Sequence, residues 1–294
     1  MNKIQALAYL VQEAQSGELV FSASVATSLK VQEAIDVADC SIEHATKIIL
    51  NEPLLAAKVV AVANSVAYVG IAGEITNVRA AISRLGFNTL RALVASLVMK
   101  QIAGASRNIT IRAKVNQLWE HSAQVAALAQ VIARRITKVD PDTAMFAGIV
   151  HEVGGFYLLS RAEEFPCLIE PDDLSGSSDN EQYDELSEAN PRVEAMEVII
   201  GRAVLANLKL PSEVNSAVEA LWYGLRAMPP ETLGDTLLLA NELSRTVSPL
   251  DTRTDSETNR CESEIDFVVG EGSLQSILEE SEEEVQTLSA ALII

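Results

Sequence analysis

The stretch SIEHATKIILNEPLLAAKVVAVANSVAYVG, residues 41–70, reads as two helices that meet at a proline. Ser41 belongs to the residue types that cap a helix start, and Ile42, Ala45, Ile48 and Ile49 then share one face at helical spacing. Pro53 ends that helix and suits the first turn of the next, which carries Leu54, Leu55, Val59, Val60 and Val62. Asn64-Ser65 breaks the pattern, and Gly70 and Gly73 loosen the chain beyond it.

Working outward, the same grammar recurs. A helix is predicted from Thr76 through Ala80, Ala81, Ile82 and Leu85, closed by Gly86 in a left-handed conformation. Asn88 caps another that runs to about Ile102, and Gly104–Thr110 reads as a hinge. A long helix over 111–136 follows, and Asp140-Pro141 supplies the cap and first turn of the next. The acidic stretch 166–190 is expected to form a mobile loop. Helices resume over 192–208, 212–225 and 231–247, separated by Pro211 and by Pro229-Pro230. Beyond Pro249 lies a polar linker, then a tail with Ser281 and Glu284 at capping-box spacing. Its apolar Val285, Leu288, Leu292 and Ile293 are expected to dock on the chain's own body. No repeat of 20–50 residues is visible. The expected organisation is an N-terminal helical subdomain over 1–105, a second over 111–248 with the insert 166–190, and an acidic linker and helix over 249–294.

Composition agrees with an all-α fold: the 294 residues are 48% hydrophobic but only 4% aromatic. Ala, Val and Leu dominate, which favours closely packed helices. No uncharged apolar run is long enough to span a bilayer, so no membrane is expected. The first residues reach Gln12 and Glu13 too early for a secretory core, and a cytoplasmic location is expected. Cys40, Cys167 and Cys261 lack ligand spacing and read as reduced thiols.

The net charge of −19 is uneven. Residues 1–160 hold 14 Lys and Arg against 12 Asp and Glu, whereas residues 161–294 hold 8 against 29. An acidic half of this kind repels phosphate backbones, so direct nucleic-acid binding is not expected.

Residues 51–70 followed by AAISRLGFNTLRALV (80–94) resemble the N-terminal signature of the HDOD family. LWEHSAQVAALAQVIARR (118–135) and AMFAGIVHEVGG (144–155) resemble the next part of that domain, a relative of HD-type metal-dependent phosphohydrolases. LANLKLPSEVNSAVEALWYG (205–224) and LLLANELSRTV (237–247) are similar to its later steps, so the resemblance covers roughly residues 15–248. It implies an all-α, HD-domain-like fold and a role in bacterial signal transduction.

The resemblance also places a metal site. HD-type enzymes use a His, a His-Asp pair and a later Asp, and here the matching positions are His121, His151-Glu152 and Asn241. Neutral imidazoles and carboxylates can hold a divalent ion that activates water and neutralises phosphate charge. Several positions depart from the pattern. Glu152 is longer than Asp by a methylene, where ligand distances tolerate about 0.2 Å. Asn241 is a neutral ligand. Ala220-Leu221-Trp222-Tyr223 stands where many relatives have histidines, and Gly155 replaces a frequent Lys. His121 shares a helical row with Val125, Leu128 and Ile132, so it faces inward. Two readings fit: surviving ligands, or core histidines bonded to a backbone carbonyl or to each other. His44 reads as a surface residue. Asn64, Ser65, Arg84 and Arg91 are candidates for a ligand or partner groove, with capping, packing or a solvated face as the alternative.

The reading that emerges is a non-catalytic regulatory module that binds a protein partner in a signalling pathway or a small ligand. It has no assigned catalytic residue and no expected cofactor unless a divalent metal is retained. The alternative is a metal-dependent phosphohydrolase acting on a nucleotide-type phosphate ester.

Overall fold

The computed structural model describes residues 1–17, 19, 23–37, 39–51, 53–64, 68, 75–103, 106–170, 195–208, 210–224, 227, 230–250, 276–282 and 285. Among them every regular element is helical. Helix α1 (Lys3–Ser16) opens with a reciprocal capping box between Asn2 and Gln5 and closes at Gly17, φ 74°. After α2 (Ala23–Ile35), Ser41 caps α3 (Ile42–Leu50) by accepting the His44 N–H at 3.2 Å, and Pro53 opens α4 (Pro53–Ala63). The Asn64 side chain then clasps Ile75: its amide donates to the Ile75 carbonyl and its oxygen accepts the Ile75 N–H, each at 2.7 Å.

The helices expected on either side of Gly86 are two segments of α5 (Val78–Ala103) that meet at a kink, where Gly86 is non-helical at φ 74° and ψ 172°. The cap of α5 is Asn77 rather than Thr76, because the Asn77 side chain accepts the Ala80 N–H at 2.8 Å. Helix α6 (Ile109–Ile132) is capped by Asn108 and runs into a π-turn, Ala133–Thr137. Asp140 and Pro141 start α7 (Pro141–Val150), and α8 (Val153–Arg161), α9 (Met196–Leu208), α10 (Ser212–Tyr223) and α11 (Leu233–Glu242) follow.

Helix α7 is the centre of the packing, with Ala144 through Val150 all buried. Helix α6 crosses it so closely that a Cβ on Gly148 would sit 2.5 Å from the Ala126 Cα. Gly154 on α8 meets Gly201 on α9 in the same way, at 2.9 Å. One hydrophobic cluster extends from Ala6 to Ile277, so the two halves of the sequence share a core. Helix α1 packs on α9 and on the turn Pro166–Leu168, and its Glu13 takes Arg161 at 2.6 Å. The first helix therefore sits on the later half of the chain. A polar node also joins the halves: the Tyr68 hydroxyl lies 3.1 Å from Asp142 and 3.3 Å from Thr89. Burial pushes that hydroxyl up to about 12, so it stays a donor.

Two expectations need correction. The last helix of the body stops at Glu242, not near 247, because the next eight residues run as a strap bound to α6 side chains. Ser281 is not an N-cap. It lies inside the helical segment 276–282 with its hydroxyl on the Leu278 carbonyl at 2.8 Å, and Ile277 is buried in the core. Most of the acidic insert, the linker, and Leu288, Leu292 and Ile293 lie outside the described residues.

Candidate functional site

His121 projects from the middle of α6 and is fully buried, while His151 closes α7 and is 7% exposed. Glu152 sits in the turn before α8. The close α6–α7 approach brings the two imidazoles together, with Nε2 to Nε2 at 3.1 Å. Each Nδ1 is held by a backbone carbonyl, His121 by Thr246 at 2.6 Å and His151 by Gly148 at 2.7 Å. Each ring thus has the carbonyl partner foreseen for a core histidine, and the two rings also face each other.

That geometry has a chemical consequence. Carbonyl oxygens only accept, so both Nδ1 atoms carry hydrogens, and in neutral rings both Nε2 atoms are bare lone pairs. Two lone pairs facing each other repel unless a cation, either a proton or a metal ion, lies with them. Glu152 adds a carboxylate, its Oε1 at 3.8 Å from His121 Nε2. The ligand atoms of His121, His151 and Glu152 all lie within 4.8 Å of one another. A separation of 3.1 Å is short enough for both imidazole nitrogens to bind one ion. The donor set would fit one divalent ion, held by His121, His151 and Glu152. Nδ1 anchoring of this kind is what orients metal-binding imidazoles.

Two departures from the HD pattern turn out to be one. A Cβ on residue 155 would meet Glu152 Oε2 at 2.9 Å, so Gly155 clears the space that the longer Glu152 side chain occupies. Sequence reasoning treated them as separate losses.

His151 and Glu152 line a cavity of about 270 Å³. Asn241 lines it, as does Trp222 from the stretch where many relatives carry histidines. Among the described residues its charged lining, apart from His151, is Glu152 and Glu197, with no Lys or Arg.

Three of the four groove candidates are described, and they lie elsewhere. Asn64 is engaged with Ile75, and Arg84 donates to the Ala63 carbonyl at 3.0 Å. Arg91 pairs with Asp36 at 2.7 Å, and Asp36 lines a second cavity between α2 and α9. Ser65 lies outside the described residues, and none of the other three lines the cavity at the histidines. His44 is exposed, as expected.

The strap was missed. Four α6 side chains at successive turns bind it: Lys114 donates to the Pro249 carbonyl at 3.3 Å and Gln117 to the Val247 carbonyl at 3.0 Å. His121 takes Thr246, and Gln124 accepts the Thr246 N–H at 2.7 Å and the Ser244 hydroxyl at 3.0 Å. A polar row at positions 114, 117, 121 and 124 of a largely buried helix was the available signal.

The HDOD domain profile matches residues 23–222. The chain belongs to the HDOD domain family. Solved structures with the same fold include a candidate metal-dependent phosphohydrolase from Shewanella amazonensis SB2B, 20% identical, TM-score 0.70, covering 99% of both chains. An HDOD domain protein with unknown function from Geobacter sulfurreducens is 18% identical, with TM-score 0.53 over 98% of this chain and 94% of that one. A candidate signal transduction protein from Marinobacter aquaeolei VT8 is 16% identical, with TM-score 0.59 over 99% of this chain and 66% of that one. At these identities the likeness is one of fold. No curated protein matches the chain. Among the described residues, no helix of this HDOD protein is long and apolar enough to cross a membrane.

Proposed function

We propose that this HDOD protein is a non-catalytic regulatory module of a cytoplasmic bacterial signalling pathway, acting through a protein partner or a small ligand. The observation that carries this reading is the lining of the histidine cavity. A phosphate ester brings negative charge, and its hydrolysis relies on cationic groups that neutralise it. Here, among the described residues, Glu152 and Glu197 face the cavity without a Lys or Arg. The closing carboxylate of the HD pattern is the neutral Asn241, which leaves a single-ion donor set.

The converging Nε2 atoms favour a second reading, a metal-dependent phosphohydrolase. His121, His151 and Glu152 would hold the ion, which would supply Lewis acidity when bound. The chain's own part would be to fix the imidazoles through Thr246 and Gly148.

Metal analysis of untagged protein, repeated on His151→Ala, separates the two when paired with a nucleotide panel. The regulatory reading expects no phosphate release, with or without added Mn²⁺ or Mg²⁺. Turnover that needs the ion and disappears in His151→Ala would overturn it.

A further inference from the structure

The segment 276–282 lies on an arginine-bearing face formed by the π-turn after α6 and by the strap. Arg135 donates to the Ser276 hydroxyl at 2.8 Å and pairs with Glu280 at 3.3 Å. Arg134 reaches Glu280 at 3.7 Å, and Arg245 pairs with Glu282 at 2.7 Å. In the same segment Ile277 is 1% exposed, and Leu278, with Val285 just beyond it, packs against the core. The occupant is thus an amphipathic helix with an apolar anchor and acidic flanks, and the face supplies the complement of both.

We propose that the face carrying Arg134, Arg135 and Arg245 is a docking site for an acidic amphipathic helix, held in cis by 276–282 and open to the same chemistry on a partner protein. The site is separate from the histidine cavity, so its fate does not depend on whether that cavity is catalytic. Charge complementarity specifies the partner: an apolar residue at the position of Ile277, with carboxylates three and five residues later, matching Glu280 and Glu282. The contacts suit exchange. The paired side chains are 36–60% exposed, and ion pairs of that kind are individually weak and screened by salt. Between Leu250 and Ser276 the chain has 25 residues, enough to tether the helix near its face at an effective concentration on the order of millimolar. The face also adjoins the histidines, since Arg245 precedes Thr246, whose carbonyl orients His121.

The test uses the full-length chain and a fluorescent peptide of residues 274–287. In wild type the tail competes with the peptide. In the full-length double variant Glu280→Lys, Glu282→Lys the tail is released, and the peptide is expected to bind about ten-fold tighter or more. Adding Arg135→Glu to that variant should abolish the gain, as should Ile277→Asp in the peptide. Equal binding to wild type and the double variant, or to neither, would overturn the proposal. So would displacement of the peptide by an oligonucleotide of matched charge, which would make the face a plain anion patch. A wild-type dimer that the double variant dissolves would assign the occupant to a second copy and overturn the cis arrangement.

Discussion

Lys58 is an ammonium held almost out of water, 3% exposed. Burial, and secondarily the charge of Lys100, lower it from 10.5 to about 8. Between those values the unfolded chain binds a proton that the folded chain does not, so Lys58 makes stability rise with pH through that window. Below it the cost of the buried charge is fully present, about 3 kcal/mol for a shift of this size. Lys58→Met should therefore raise the melting temperature at pH 7 by several degrees and flatten the rise between pH 8 and 10; a lower melting temperature would show that the ammonium is well compensated. Asp235 behaves oppositely. Burial alone would raise its carboxyl, but the Thr232 hydroxyl and the N–H groups of Ala227, Thr232 and Glu231 outweigh burial and hold it low. Its contribution is present above the usual carboxylate range and fades as pH falls through the lowered value. Asp235→Asn should cost about 1–3 kcal/mol at pH 7 and remove part of the acid-induced loss, as read by denaturant melts from pH 7 to pH 3.

At the scale of elements, α6 against α7 decides whether the histidines meet. Gly148→Ala would drive a Cβ into the Ala126 backbone at 2.5 Å, and backbone has no rotamer to escape through. A loss of about 1–3 kcal/mol or more is expected, together with a changed His151 environment in NMR spectra. Retention of wild-type stability would mean that the helices slide apart freely. This level also shows what was legible in the sequence. Ser41, Pro53 and Asp140-Pro141 act within three or four residues of themselves, so helix starts could be read locally. The inward face of His121 followed from its apolar row. The strap left no local mark of its own, because what holds it lies 120 or more residues earlier on α6, as with Ser244 and Gln124, where only the polar row hinted at it. Ser281 misled for a related reason: capping-box spacing is a local pattern, and burial of Ile277 extended the helix past it.

For the whole molecule, a charge of −19 works against compactness. Screening shortens the reach of that repulsion from about 10 Å at 0.1 M salt to about 3 Å at 1 M. Thermal stability should therefore climb with salt even as the Arg245–Glu282 and Arg135–Glu280 pairs weaken; a decline would mean that the pairs outweigh the repulsion. A chain ending at Leu250 should still fold, melting a few degrees lower because the place of Ile277 is left uncovered, and circular dichroism melts would detect this. The strap that ends at Leu250 has one more implication. Lys114, Gln117 and His121 grip it by its carbonyls, which every amino acid possesses. Arg245 and Val247 can therefore drift during divergence without loosening the grip, whereas the row on α6 cannot. A lineage could rewrite the outer surface of the strap, and with it the partner it meets, while leaving the histidine pair in place.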